Sequence, residues 1–302
     1  MDTYSQQAKE ARLKVLDLIF SAQTSHIGSN FSCIDILTVL FDKIDLDRDR
    51  FILSKGWAAA SLYYFLWKKG RIAEEQLNSY CGNCYECGGT GSINNRDPFV
   101  YASGIGSSTA VFRPGGMFTC NTCNGSGLSE FIGLAEPILP DIPIAGGSMG
   151  LGFPMAVGLA LSKKLKGEEG TIYVLMSDGE LQIGTTLESA LIAAQHKLDN
   201  LMVIVDGNNF QAMGKTNEIL KIEYPQQIFQ GWDTYIRMDG HNFFELERYF
   251  DFRVCPEIKR PRVWFCNTTK GKGVKRFEGN NLYHYKQLSE EEYLEAKKEL
   301  NG

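Results

Sequence analysis

Two stretches decide the fold: Thr171-Ile172-Tyr173-Val174-Leu175-Met176, which runs into Ser177-Asp178-Gly179-Glu180, and Leu201-Met202-Val203-Ile204-Val205-Asp206, which runs into Gly207-Asn208-Asn209-Phe210. Each begins as an unbroken apolar run, the pattern of a strand covered on both faces of a parallel sheet. A helical pattern over 185–197 separates them, giving a strand, a crossover helix and a second strand. Polar residues gather where the runs end, and ligands of such sheets collect at the carboxyl ends of their strands.

The rest of the chain repeats the alternation. Apolar positions at helical spacing predict a helix over 7–20, and Asn30 or Ser32 is placed to cap a second one reaching about Phe41. Phe51-Ile52-Leu53 reads as a strand leading through Ser54-Lys55-Gly56 into a helix that stops near Gly70. Gly146-Gly147-Ser148-Met149-Gly150 precedes a small-residue helix starting at Phe153. Strands over 234–238 and 263–267, a helix over 242–252 and a last helix from about Ser289 complete the pattern. The expected architecture is α/β, a mostly parallel sheet sandwiched by helices, as one domain over 1–302 with an inserted cysteine-rich module over 81–130.

If the two deciding strands are neighbours, Asp178 and Asn208 enter one crevice. A carboxylate, an amide oxygen and a backbone carbonyl suit a hard cation such as Mg²⁺ or Ca²⁺, with diphosphate oxygens filling the remaining positions. Gly179 lets the backbone approach phosphates without a Cβ in the way.

Composition narrows the class. The chain has 302 residues, is 43% hydrophobic and carries a net charge of -5, with Lys and Arg scattered rather than striped, which argues against nucleic acid. No apolar run is long enough to span a membrane, and the N-terminal twenty residues lack the basic-then-apolar order of a secretory signal, so a cytoplasmic location is expected. No G-x-G-x-x-G follows a first strand, which disfavours a nicotinamide site.

Five of the eight cysteines lie between Cys81 and Cys123, while Cys33, Cys255 and Cys266 stand alone. Cys84-x-x-Cys87 and Cys120-x-x-Cys123, each followed by glycine-rich turns, have the form of a tetrahedral Zn²⁺ site, with Cys81 left over; an iron–sulfur centre and redox or unliganded thiols are the alternatives. Metal ligation would stabilise a segment with little hydrophobic core of its own. The 100–116 loop within it is placed to shape the substrate channel or to touch a partner.

Asp178-Gly179 followed thirty residues later by Asn208, within SDGELQIGTTLESALIAAQHKLDNLMVIVDGNNFQAMG, resembles the thiamine diphosphate signature of transketolases. DRDRFILSKG and GSMGLG before it, and DGHN and TTKGKGV after it, recur in family order, so the resemblance covers all but roughly residues 81–130. It implies a thiamine diphosphate-binding fold in which Asp178, Asn208 and the Phe210 carbonyl hold the cation. Gly147, Met149 and Gly179 would line the cofactor, and His26 and His284 would move protons or steady oxyanions. Glu188 would correspond to an acidic residue linking two active sites. It also implies that a separate subunit supplies the pyrimidine-binding domain, in a heterotetramer of two such pairs.

Three departures stand out. Trp57 and Leu134 replace family histidines near the substrate, and Ile183 replaces an acidic residue between active sites. Loss of two polar donors favours a smaller or more apolar substrate than an ordinary ketose phosphate. The leading expectation is transfer of a two-carbon ketol or related acyl-anion unit to an aldehyde. Alternatives are a decarboxylating acyloin synthase or 2-oxo-acid dehydrogenase-type component, and a non-catalytic regulatory homologue. Lys270 and Lys272 read either as a solvated basic loop or as part of the active-site border.

Overall fold

A computed structural model describes residues 3–90, 92–95, 99–104, 107–112, 116–251 and 259–302. Its centre is a parallel five-stranded sheet of β1 (Arg50–Leu53), β6 (Ile172–Ser177), β7 (Leu201–Gly207), β11 (Arg262–Asn267) and β10 (Thr234–Asp239), in that spatial order. Every pairing within it is parallel, so all five carboxyl ends open on the same edge. Past the end of β7 the chain folds into a small antiparallel pair, β8 (Phe210–Gln211) with β9 (Gly214–Lys215), and a single turn of helix, α7 (Thr216–Ile219).

Alternation along the central strands divides the core in two. Tyr173, Leu175, Met202, Ile204 and Trp264 face α1 (Thr3–Ser21), α2 (Ile27–Lys43), α3 (Ala59–Lys68), α8 (Phe243–Asp251) and α9 (Glu290–Asn301). Their neighbours Ile172, Val174, Val203, Val205 and Val263 face α5 (Gly152–Lys166) and α6 (Gly184–Gln195). This two-sided cover is why the strands read as continuous apolar runs. Fully burying one such side chain contributes roughly 1.5–3 kcal/mol, so the central strands are the least yielding part of the scaffold.

The second helix departs from expectation. It begins at Ile27, and neither Asn30 nor Ser32 caps it; both are buried in its interior. His26 turns the chain in a left-handed conformation, with φ 72°. Asn30 bonds the His26 carbonyl and the Ser61 N–H, while Ser32 reaches Asp206. Their polar side chains serve tertiary contacts that a local reading cannot see.

The cysteine-rich segment follows α4 (Glu74–Asn78). It is more regular than its sequence suggests: β2 (Ser92–Asn95) pairs antiparallel with β5 (Gly116–Thr119), and β3 (Phe99–Gly104) with β4 (Ser107–Phe112). Within the 100–116 loop, 105–106 and 113–115 lie outside the described residues, as does Cys255. Among the described residues no helix is long and apolar enough to cross a membrane.

Candidate active site

Parallel pairing sets Ser177 opposite Asp206, which brings Asp178 and Asn208 to adjacent strand tips. The tips are tied together: the Asp178 carboxylate accepts the N–H of Asn209 (2.6 Å) and of Gly179 (2.9 Å), and Asn208 Oδ1 accepts the N–H of Phe210 (3.0 Å). Burial, followed by the charge of Asp206, raises the Asp178 carboxyl to about 7 in spite of those donors. No Lys or Arg pairs with Asp178 among the described ion pairs. A buried carboxylate in no close ion pair, near an amide oxygen, fits a divalent cation, although the charge of Lys55 already favours its ionised form.

Below the tips, Lys55 forms a buried ion pair with Asp206, which also accepts the hydroxyls of Ser32 and Thr268. Burial works against both charges, but the pairing prevails, holding Lys55 above its ordinary pKa and Asp206 below. Removing one partner of such a pair costs about 3–5 kcal/mol. Lys55 also donates to the Ser29 carbonyl (2.9 Å), so α2, the end of β1 and the end of β7 are fastened at one point.

Glu180 fastens a second point. Fully buried, its carboxylate accepts the Ser54 hydroxyl, the Ser177 N–H (2.8 Å) and the Gly150 N–H (3.5 Å). Burial raises its pKa. Beside it, Gly147 has φ 98°, and a Cβ there would overlap the Leu134 side chain. Ile183 packs against Gly150, where an added Cβ would likewise collide with it.

These anchors frame a cleft of about 540 Å³ lined by His26, His284, Trp57, Met149, Glu180, Asn208 and Phe210 among others. The His26 ring lies flat against Trp57 (4.6 Å between centroids, 10° between planes) and meets His284 edge-on at 4.8 Å. Lys270 Nζ donates to Nδ1 of His284 (2.8 Å) and to Asn281 Oδ1 (2.7 Å). In a neutral imidazole this leaves the hydrogen on Nε2, making that atom a donor. Burial and then the Lys270 charge lower His26 to about 4 and His284 to about 3, so both are neutral at pH 7. Lys270 itself falls to about 8, through burial and then repulsion from Lys55.

The four cysteine thiols of the two C-x-x-C pairs converge, their sulfurs lying within 4.8 Å of one another. Cys84–Cys120 and Cys87–Cys123 are separated by 3.8 and 3.7 Å. A tetrahedron with metal–sulfur bonds of about 2.3 Å has edges of about 3.8 Å. The cluster is therefore able to chelate a metal, and its spacing is compatible with Zn²⁺.

Most residues expected at the site meet there. His26, His284, Gly147, Met149, Asn208 and Phe210 line the cleft. Gly179 lies close to Met149, whereas Asp178 lines a different cavity of about 170 Å³ that has no lining residue in common with the cleft, so the single crevice expected for Asp178 and Asn208 is not what the cavities show. Glu188 lies elsewhere, exposed on α6 and not among the residues lining the cleft. Lys270 is 1% exposed, so it is not in a solvated loop, and it reaches the cleft through its contact with His284. His241 takes a structural place: Nε2 accepts the Thr269 N–H, and Nδ1 meets Asp35, which is paired to Arg12. Glu180 escapes a reading of the sequence, although Ser177-x-x-Glu180 carries the spacing of a capping box, which the structure forms.

A parallel α/β sheet whose adjacent strand tips set Asp178 near Asn208, with a glycine-lined cleft at the carboxyl ends of its strands, is the architecture of an α/β ligand-binding domain. The chain belongs to the transketolase, thiamine diphosphate binding domain family, whose profile matches residues 3–107 and 133–301. It is 29% identical to an apulose-4-phosphate transketolase subunit from Phocaeicola vulgatus over all of this chain and 95% of that protein. It is also 29% identical to a 6-deoxy-6-sulfo-D-fructose transketolase subunit from a Clostridium species, over 97% of this chain and 94% of that one. Transketolase from Campylobacter jejuni superposes with a TM-score of 0.75 at 26% identity, covering 100% of this chain and 43% of that one. Leishmania mexicana transketolase, at 20% identity and a TM-score of 0.77, shares the fold over 42% of its length.

Proposed function

We propose that this chain is the diphosphate-binding subunit of a split, thiamine diphosphate-dependent transketolase-like transferase. It moves a two-carbon ketol or related acyl-anion unit from a donor to an aldehyde acceptor. The observation that carries this reading is the unpaired, buried Asp178 carboxylate at a strand tip beside Asn208, next to a cleft holding two neutral histidines. In it, Asp178, Asn208 and the Phe210 carbonyl hold Mg²⁺ (or Ca²⁺), while Gly147, Gly179 and Met149 border the cofactor. When bound, thiamine diphosphate supplies the carbanion chemistry. His284 presents Nε2–H to the cleft, and His26, held flat by Trp57, stands at its side; both are placed to donate to a developing oxyanion.

The pyrimidine-binding half comes from a separate partner subunit, in a heterotetramer of two pairs, located in the cytoplasm. Exposed Glu188 then serves at the contact between pairs rather than within this cleft. The inserted module, 81–130, binds structural Zn²⁺ through Cys84, Cys87, Cys120 and Cys123. Asp178→Ala should abolish Mg²⁺-dependent affinity for thiamine diphosphate; retention of that affinity would refute the assignment.

A second reading is favoured by Leu134, whose side chain puts apolar surface beside Gly147, and by Trp57, an aromatic ring in the cleft lining. It is decarboxylation of a 2-oxo acid on the same cofactor. A donor screen separates the two, since carbon dioxide release from pyruvate occurs only under the second.

A further inference from the structure

Three ionisable side chains that take no part in lining the cleft are buried together. Arg12 of α1 pairs with Asp35 of α2, Nη1 to Oδ1 and Nη2 to Oδ2, each at 2.8 Å, and His241 Nδ1 meets Asp35 Oδ2 at 2.7 Å. The three side chains are 8%, 5% and 13% exposed. Burial works to raise the Asp35 carboxyl, but the Arg12 guanidinium prevails and holds it below the usual carboxylate range.

Both outer arms of this cluster end on one turn. Arg12 Nε donates to the Lys272 carbonyl (2.9 Å), and His241 Nε2 accepts the Thr269 N–H (2.8 Å). The Lys272 N–H returns to the Thr269 carbonyl (3.1 Å), closing a turn over 269–272 whose two ends are thereby held by a single carboxylate. Lys270 lies inside that turn, and its ammonium reaches Nδ1 of His284. The residue before it is fixed separately, the Thr268 hydroxyl donating to Asp206 and its N–H to the Gly207 carbonyl (3.2 Å).

The partners decide where the hydrogens sit. An ionised carboxylate only accepts, and a backbone N–H only donates. His241 therefore carries its hydrogen on Nδ1, toward Asp35, and keeps the Nε2 lone pair for Thr269. His284, facing the Lys270 ammonium, has the opposite arrangement. Among the described residues the Thr269 N–H has no acceptor besides His241. Without it that donor is left unsatisfied, and the turn can relieve the cost only by moving. Lys270 is the next residue.

We propose that Asp35, acting through Arg12 and His241, is a clamp on the turn that carries Lys270, which makes His241 a positioning residue for the hydrogen on His284. The clamp rests on these contacts alone; its bearing on turnover rests on the ketol-transfer reading.

Two measurements test it. The first uses the unaltered chain with ¹⁵N-labelled histidine. His241 should resonate as the Nδ1–H tautomer and His284 as the Nε2–H tautomer, and the Thr269 N–H should exchange with solvent about a hundredfold slower than an unprotected amide. The second compares two variants. His241→Asn keeps a donor near Asp35 but loses the acceptor for Thr269, whereas the longer amide of His241→Gln sets an oxygen near the Nε2 position.

In His241→Asn the His284 ring should shift toward a mixture of tautomers. In the complex with the partner subunit, kcat for ketol transfer from hydroxypyruvate to glycolaldehyde should fall about tenfold with KM nearly unchanged. His241→Gln should restore both readings. Should His241→Asn fail to fold, replacing the Thr269 N–H with an ester oxygen removes the same bond, leaves His241 in place and should shift the His284 ring likewise. The proposal is overturned if His241 of the unaltered chain carries its hydrogen on Nε2, or if Thr269 exchanges freely. It is equally overturned if His284 keeps its signals once the bond is removed, or if the Asn and Gln variants lose equally. Absence of transfer even in the unaltered complex, with the ring signals behaving as stated, would sink ketol transfer while supporting the clamp.

Discussion

Ser54 and Glu180, 126 residues apart in the chain, meet in the cleft wall, where the hydroxyl of one donates to the buried carboxylate of the other. The same carboxylate holds N–H groups of Ser177 and Gly150, so a single side chain fixes the exit of β1, the exit of β6 and the glycine-rich loop before α5. Replacing it with glutamine would set an amide N–H₂ against those donors. Glu180→Gln should therefore weaken binding of the magnesium complex of thiamine diphosphate by about 10–100-fold, the range seen when residues supporting a metal site are changed. Equilibrium dialysis measures this without reference to turnover. Wild-type affinity in the variant would show that the three segments hold their places unaided.

Lys270 acts on His284. Without its ammonium at Nδ1, the ring is free to carry its hydrogen on either nitrogen, and the donor facing the cleft is lost part of the time. Lys270→Met should lower kcat by about 10²–10³, within the usual contribution of a positioned proton-transfer group. Burial depresses His284 most and the Lys270 charge adds to it, so removing that charge should also move its titration upward from about 3, which NMR of the labelled ring records. An unmoved titration would mean that Lys270 does not govern this histidine.

Much of this is legible in the sequence, and the exceptions share a cause. The strands announce themselves because Tyr173 to Met176 and Met202 to Val205 are covered on both faces, so apolar continuity alone identifies them. Asp178 and Asn208 are readable because a strand tip is a local feature. The start of α2 is not, since it depends on His26 adopting φ 72° and on Asn30 bonding Ser61. Lys270 and Glu180 are equally hidden. Their burial is made by partners distant in sequence, Ser54 for Glu180 and the packing around His284 for Lys270. The paired strands of the cysteine-rich segment carry Gly, Ser and Asn, which weaken any strand pattern.

The two cleft histidines also predict an acid sensitivity. Their folded pKa values, about 4 for His26 and about 3 for His284, lie below the unfolded value of 6.5, so the unfolded chain binds more protons as the pH falls. Stability is then intact above pH 6.5 and is lost as acid is added, by at most roughly 1.4 kcal/mol per pH unit for each histidine. Asp178 works the other way: its pKa is raised from 3.8 to about 7, so it favours the fold as the pH falls through that range. Comparing urea midpoints of the wild type with a His26→Asn, His284→Asn double variant at pH 7 and pH 5 isolates the histidines. The variant should lose less stability between the two; equal losses would contradict the depressed values.

The last prediction concerns the thiols. Cys84, Cys120 and Cys123 are buried, and among the described residues the apolar side chain packed against them is that of Cys87, so a metal is well placed to hold this end of the module together. Purified without added metal, the protein should contain one zinc per chain. A strong chelator should remove it, with trypsin then cutting within 81–130 at least tenfold faster and the rest of the domain remaining resistant, because the parallel sheet has its own core. Cys123→Ser should reproduce the sensitivity without chelator, and adding Zn²⁺ to the stripped wild type should restore protection. Unchanged digestion after verified metal removal would mean that the hairpins hold the module by themselves.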